Sequence, residues 1–182
     1  MITALDTPRL HLRPLQADDG DALFALFSDP RILRAASHPR WGSPAEAREY
    51  VEAMRAGMAR GSVAPWIVTH GADGCIGMVT LWFLGDGRGR AEVSYLLAPA
   101  YWGRGLATEA VAAVLERAGS AGTSRVEASV DVDNDASLRL LGRLGFVHDG
   151  PPWRRIRADG LARSARRLVR EVPAVAAAGP VR

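Results

Sequence analysis

The segment Glu92-Val93-Ser94-Tyr95-Leu96-Leu97-Ala98-Pro99-Ala100-Tyr101-Trp102-Gly103-Arg104-Gly105-Leu106-Ala107-Thr108-Glu109-Ala110 passes from a strand pattern through an irregular turn and a Gly-x-Gly loop into a helix pattern. A glycine loop at a helix N-terminus turns several backbone N–H groups in one direction. Together with the positive end of the helix dipole, those donors suit a phosphate.

Gly103-x-Gly105 alone fits several sites. A nucleotide P-loop needs Gly-Lys-Ser/Thr, and this chain has no lysine. A Rossmann loop needs a third Gly or Ala at the right place, which Gly103 to Thr108 lacks, although Glu127 stands near the end of the next strand, where a ribose-binding acid is expected. The strands before the loop look antiparallel, and too little chain follows for a doubly wound sheet. A helix start lined by small residues, with no ligand, is the remaining alternative.

Outward from the loop, the chain alternates elements in a mixed order. Arg9 to Leu15 alternates as a half-buried strand does. Asp18 to Phe27 has helical spacing and stops before Asp29-Pro30. Ser43-Pro44-Ala45-Glu46 reads as a capping box that opens a helix to about Arg60, closed by Gly61. Pro65 to Thr69 and Ile76 to Leu84 form a hairpin pattern around Gly71-Ala72-Asp73-Gly74, and a glycine-rich turn at residues 85–89 leads into Ala91 to Ala98. The helix after the glycine loop places Ala107, Val111, Val114, Leu115 and Ala118 on one face, with Gly119 as its end. Arg125 to Val130 is a strand, Asp135 to Leu144 a helix ending at Gly145, and Phe146-Val147 the start of another strand. Asp159-Gly160 marks a hairpin, and Ala165 to Val172 is the last strand. This order predicts an α/β (α+β) domain over residues 1–172, with a mixed, mostly antiparallel sheet. The Ala/Pro/Gly-rich tail from Pro173 to Arg182 is expected to fray.

Composition sets the outer bounds. The 182 residues are 48% hydrophobic and 24% charged, enough for a real core. No apolar run approaches the ~20 residues of a membrane helix, and the first residues lack a secretory pattern, so a cytoplasmic protein is expected. The single Cys75 and four scattered histidines offer no metal-ligand spacing, so no metal is expected. All 23 basic residues are arginine, seven of them between Arg154 and Arg170. A basic surface suits a phosphorylated cofactor or an acidic partner. Only Trp153 interleaves with the cluster, so the stacking platform of a single-strand binder is missing, and a nucleic-acid-binding domain is an alternative that rests on the arginine cluster alone.

Two motifs together resemble a known family. Pro99 to Ala110 is similar to the acetyl-CoA-binding motif of GCN5-related N-acetyltransferases (GNAT), Gln/Arg-x-x-Gly-x-Gly/Ala. Trp102 occupies the first position, a departure shared with the RimJ/RimL-like branch of ribosomal-protein N-terminal acetyltransferases. Asn134-Asp135-Ala136-Ser137 followed by Leu144-Gly145-Phe146 is similar to the family's Asn-x-x-Ser…Leu-Gly-Phe stretch. Asn134, the only asparagine, also reads simply as a helix N-cap.

The resemblance implies a GNAT fold with about six to seven strands and four helices, and an acetyl-CoA-dependent N-acetyltransferase. The pyrophosphate would rest on Trp102, Gly103, Arg104, Gly105, Leu106, Ala107 and Thr108. The pantetheine arm would lie along the backbone of Tyr95, Leu96 and Leu97, with Asn134 and Ser137 closing the site. A backbone N–H near Leu97 would polarise the acetyl carbonyl. Ser137 matches the position that protonates the departing thiolate, Tyr95 ranks below it because alternation puts it on the Val93/Leu97 face, and Glu92 is the candidate base. Arg139 and Arg143 share a helix face that could approach another phosphate, or simply be solvated. The acceptor is a primary amine: a protein or peptide N-terminus, a polyamine or an antibiotic amine. An α-amine titrates near about 8 and a lysine near about 10.4, so an α-amine needs less base. Trp41, Tyr50, Trp82, Trp153 and Arg154 come from the elements that would border the acceptor. A homodimer is a further implication, and a non-catalytic acyl-CoA-binding module is the competing reading.

Overall fold

A computed structural model describes residues 2–35, 40–85, 87–157 and 160–173. The chain opens with β1 (Leu5–Asp6), β2 (His11–Pro14), a short 3-10 turn and the helices α1 (Gly20–Phe27), α2 (Pro30–Ala35) and α3 (Pro44–Arg60). There follow β3 (Val63–Thr69), β4 (Cys75–Phe83), β5 (Arg90–Leu97), a second 3-10 turn at Pro99–Tyr101, α4 (Leu106–Ser120) and β6 (Arg125–Asp131). The chain closes with α5 (Asp135–Arg143), β7 (Val147–His148), β8 (Trp153–Ile156) and β9 (Ala162–Glu171).

The described residues thus hold nine strands and five α-helices, more than the six to seven and four expected. The additions are short. β1 has two residues and α2 has six. Asp29-Pro30, expected to end a helix, also starts one. Pro30 takes the first helical position, and the Asp29 carboxylate accepts the Arg31 N–H at 2.8 Å. The Ser43 capping box does not form: the Ser43 side chain makes no cap bond, and Glu46 accepts the N–H of Gly42, one residue before the cap, at 3.2 Å.

One expected helix end is corrected. Helix α4 continues past Gly119 to Ser120, and the turn falls to Gly122 at φ 90°. A Cβ at Gly119 would lie 2.8 Å from the Val172 side chain and from the Pro173 carbonyl. Glycine is present there for close packing, not for turn geometry. The Ala158 and Asp159 part of the expected hairpin, Asp86 of the glycine-rich turn and the tail beyond Pro173 lie outside the described residues. β8 and β9 do pair on either side of that hairpin.

The sheet runs β1-β2-β3-β4-β5-β6-β9-β7, with β8 also on β9. Every pairing is antiparallel except β5 with β6. Each face is covered. Helices α4 and α5 place Leu106, Val111, Val114, Leu115 and Leu141 over Val79, Leu81, Val93, Val126 and Ala128. Helices α1 and α3 place Leu23, Phe27, Val51 and Met54 over Ile67 and Met78. Two apolar faces on one sheet explain why β3 and β4 read as nearly continuous apolar runs.

The decisive feature is where β5 and β6 part. They pair only at Arg90–Arg125, Ala91–Val126 and Glu92–Glu127. From Val93 onward β5 stays on β4, whereas β6 goes on with β9 to Asp131. A wedge opens in the middle of the sheet.

Candidate active site

Strand parity fixes what faces the wedge. The Ala98 N–H donates to the Ile76 carbonyl at 2.7 Å, and the Leu84 N–H to the Arg90 carbonyl at 2.9 Å. In an antiparallel ladder, bonded pairs alternate. Even-numbered residues of β5 therefore bond to β4, and odd-numbered ones turn their N–H and C=O toward β6. Past Glu92, the main-chain groups of Tyr95 and Leu97 have no strand on that side. Leu96, expected among the backbone contacts, has its main chain directed to Met78 instead, and its side chain borders the cavity.

The glycine loop lies just beyond. Gly103 and Gly105 stand at φ 73° and 77°, in the left-handed region that favours glycine. A Cβ at Gly103 would meet nothing within 4 Å, so the loop surface is open there. Gly105 caps α4 without a side-chain bond, and the first α4 N–H groups have no partners within the helix. Trp102 fastens loop to strand: its indole N–H donates to the Leu97 carbonyl at 2.7 Å. Arg104 is exposed and lies over the Tyr101 ring at 5.5 Å.

A cavity of about 290 Å³ fills the wedge. It joins Glu92, Tyr95, Leu96, Asn134 and Ser137, five of the expected site residues, and Val93, Ala128 and Val130 also line it. Asn134 caps α5, its side-chain oxygen accepting the Ser137 N–H at 3.1 Å. The N-cap reading of Asn134 thus holds, and the cap brings Ser137 to the cavity. Tyr95 sits on the Val93/Leu97 face, as alternation requires. That face is the one α5 covers, so its phenol arrives beside Ser137 rather than away from the site. Its hydroxyl is buried, with no acceptor completing a hydrogen bond. Burial pushes the phenol up to about 12, against a smaller downward pull from Ser137. It stays protonated through neutral pH.

The opposite face of the same strands builds a second wall. Glu92, Ser94 and Leu96 stand in register with Trp82, Thr80 and Met78, and Phe27 and Tyr50 close over them. The Trp82 indole donates to Ser94 Oγ at 3.0 Å. Thr80 is 1% exposed, and its hydroxyl has no partner. Trp41, expected at the acceptor, belongs to the core, stacked 4.8 Å from Phe27 and 5.3 Å from Tyr50. Trp153 and Arg154 do not reach the cavity, but Arg155 does. Arg155 pairs with the buried Asp131 at 2.6 Å, and Arg157 pairs with the same carboxylate at 3.3 Å. Arg157 also donates to the Leu33 and Arg34 carbonyls at 3.0 Å, tying the hairpin to the end of α2. Arg167 approaches Glu127 at 3.8 Å and lies over Trp153. Much of the arginine cluster is thus internal ion pairing. Strand spacing in Arg155-x-Arg157 was the available signal. Arg139 and Arg143 are exposed on α5.

An open strand edge, a glycine loop at a helix start and a hydroxyl pair at the wedge match a thioester-dependent acyl transfer. The family profile of the Acetyltransferase (GNAT) domain matches residues 9–147. The chain belongs to the GNAT acetyltransferase family. It is an acetyl-CoA-dependent N-acetyltransferase. It is similar to the uncharacterized N-acetyltransferase YoaA of Bacillus subtilis (strain 168), 32% identical over 152 residues, 82% of this chain and 86% of that protein. In fold it is similar to RimL, the ribosomal L7/L12 α-N-protein acetyltransferase solved with coenzyme A. The TM-score is 0.83 at 19% identity, covering 94% of this chain and 99% of that one. It also matches the spermidine N-acetyltransferase of Vibrio cholerae solved with CoA and spermine. There the TM-score is 0.79 at 20% identity, covering 91% and 97%. No helix among the described residues of this acetyltransferase is long and apolar enough to cross a membrane.

Proposed function

We infer that this acetyltransferase moves an acetyl group to the N-terminal α-amine of a protein or peptide, by direct attack within a ternary complex. The observation that carries the reading is the edge of β5 at Tyr95 and Leu97, which no strand pairs, immediately before the Gly103–Gly105 loop. The residues present fit the donor. Gly103 leaves open space where a side chain would stand. The first-turn N–H groups of α4 suit a pyrophosphate. The β5 edge offers peptide-like donors and acceptors to a pantetheine amide arm.

Bound there, acetyl-CoA supplies the activated acetyl thioester. The Leu97 N–H faces the wedge and is placed to polarise the acetyl carbonyl. Ser137 and Tyr95 line the cavity as neutral acids and would donate a proton to the departing thiolate as negative charge develops. Glu92, on the acceptor wall, accepts the proton that the amine gives up, directly or through water.

The acceptor class follows from charge. Two carboxylates line the cavity, and Asp131 is already paired with Arg155 and Arg157. Glu92 has no ion pair among the described residues. One uncompensated carboxylate suits one ammonium group, whereas a polyamine would call for several. The aromatic wall of Phe27, Tyr50 and Trp82 suits the first side chain of a peptide.

The test is coenzyme A release with a panel of free N-terminal peptides, spermidine and aminoglycosides, alongside an acetyl-CoA titration followed by thermal shift. Turnover confined to peptides is expected. Turnover of spermidine alone would overturn the acceptor assignment, and binding without release on any amine would support the non-catalytic module. Gly103→Glu, which sets a carboxylate on the open surface of the loop, should abolish the acetyl-CoA shift; an undiminished shift would show the cradle to be misplaced.

A further inference from the structure

The N-terminal segment is fastened to the glycine loop through one residue that the reaction itself does not use. The Arg9 guanidinium donates from Nε to Glu109 Oε2 at 2.7 Å and from Nη1 to the Arg104 carbonyl at 2.9 Å. Its Nη2 lies 2.6 Å from Glu109 Oε2. The Arg9 backbone N–H and the Thr7 hydroxyl take the other carboxylate oxygen, Glu109 Oε1, at 3.0 and 2.6 Å. Arg9 therefore spans a main-chain carbonyl inside the loop and a carboxylate in the first turns of α4.

Two consequences follow from elementary geometry. In a trans peptide, C=O and N–H point in opposite directions. Holding the Arg104 carbonyl toward Arg9 therefore aims the Gly105 N–H away from Arg9. Gly105, at φ 77°, is a residue with many accessible conformations, so an external restraint on the preceding carbonyl has something to restrain. The second consequence concerns charge. A carboxylate in the first turns of α4 would repel a phosphate at that helix start. Glu109 is held below the ordinary carboxylate range: burial pushes it up, but the Thr7 and Arg9 hydrogen bonds outweigh that. The charge is thus ionised and matched by Arg9.

We propose that Arg9 is a positioning residue for the cofactor loop, holding the Arg104 carbonyl so that the Gly105 N–H is set outward for a phosphate before the ligand arrives. This rests on the loop being the pyrophosphate cradle. The N-terminal strand pair, remote from the chemistry, then contributes to donor affinity, and an ordered cradle costs less to organise on binding.

The test is calorimetric titration of acetyl-CoA into wild type, Arg9→Ala, Arg9→Lys, Arg9→Ala/Glu109→Gln and Gly103→Glu, with the unfolding midpoint of each. Arg9→Ala should bind about tenfold more weakly, the worth of a charge-assisted restraint. Arg9→Lys, which pairs with Glu109 but lacks a fork to span both partners, should fall between and keeps the test alive if Arg9→Ala folds poorly. The double variant should remain weak; recovery of wild-type affinity would mean that Arg9 only neutralises Glu109, and the carbonyl role is lost. The Gly105 amide NMR resonance should shift on adding acetyl-CoA in wild type and shift less in Arg9→Ala, while the Leu97 amide still responds. Equal Gly105 shifts, or equal affinity in Arg9→Ala alongside lost binding in Gly103→Glu, would overturn the inference and leave the cradle standing. Undiminished binding by Gly103→Glu would instead remove the cradle itself.

Discussion

The two sides of strand β5 have opposite fates. Toward β4, the ladder is continuous from Ala91 to Leu97; toward β6 it stops after Glu92. One side satisfies its main-chain groups within the fold. The other leaves the Tyr95 main chain and the Leu97 N–H without a strand partner, while the Trp102 indole takes the Leu97 carbonyl. A buried peptide group without a partner is costly, so an interrupted ladder inside a nine-stranded sheet marks a place where something else supplies the bonds. Here the interruption falls just before the Gly103–Gly105 loop at the start of α4.

The sharpest way to break this contrast is to place proline on either parity. Leu97→Pro removes an N–H that faces the wedge, not β4. It should cut turnover per folded molecule by about a hundredfold or more, and any stability cost comes from losing the buried Leu97 side chain rather than from the β4 ladder. Leu96→Pro removes an N–H bonded to β4, and should instead lower stability by about 3 kcal/mol. Steady-state kinetics with a reactive peptide, and denaturant titration, separate the two. Equal effects at both positions would mean that the parity assignment is wrong.

The next largest effects belong to the hydroxyl pair. Ser137→Ala and Tyr95→Phe should each lower kcat by about ten- to a hundredfold, with the KM for acetyl-CoA little changed. Their effects should not add, because the two groups share one proton-donating task. Tyr95→Phe also removes a buried hydroxyl that lacks an acceptor, so its unfolding midpoint should not fall.

Smaller still is Glu92→Gln. The rate should drop about tenfold near neutral pH and recover by about pH 9, because an α-amine is then already neutral. A pH-independent deficit would make Glu92 an acceptor-binding group rather than a base. Tyr95, with its phenol at about 12, should add no descending limb below about pH 10.

The smallest effect is on acid stability. Glu109 and Glu127 are both held below their ordinary 4.5 by arginine partners that outweigh burial. A lowered folded value means that the stabilisation is full above about 4.5 and is lost as pH falls further. The unfolding midpoint should drop by a few degrees between pH 5 and 3.5, and Glu127→Gln should reduce that difference. An unchanged slope would mean that the pairs contribute nothing.

The legible and the hidden parts of the site differ in what builds them. The cradle depends on glycines at positive φ and a helix start, both of which are local features, so Gly103 and Gly105 were readable from spacing alone. Asn134 was readable as a cap for the same reason. The acceptor wall is built from side chains on four elements, Phe27, Tyr50, Trp82 and Glu92. Aromatic residues in a sequence do not say which lies in the core and which lines a cavity: Trp41 and Tyr50 share one cluster, yet only Tyr50 borders the wedge. Arg155 was passed over for Arg154, because a one-residue shift on a strand reverses the face. Gly119, read as a helix end, is a contact with Val172 and Pro173, which no local pattern could show.

The sequence by itself determined the order of elements, the glycine loop at the start of α4 and the family, because turn chemistry, helix periodicity and short motifs act over a few residues. Only the tertiary structure decided that β6 leaves β5 after Glu92, that Tyr95 meets Ser137, and that Arg9 braces a loop about a hundred residues away. Those relations arise from strand order and helix docking. They join residues far apart in the chain, and their free energy lies in contacts that exist only once the sheet has closed on both faces.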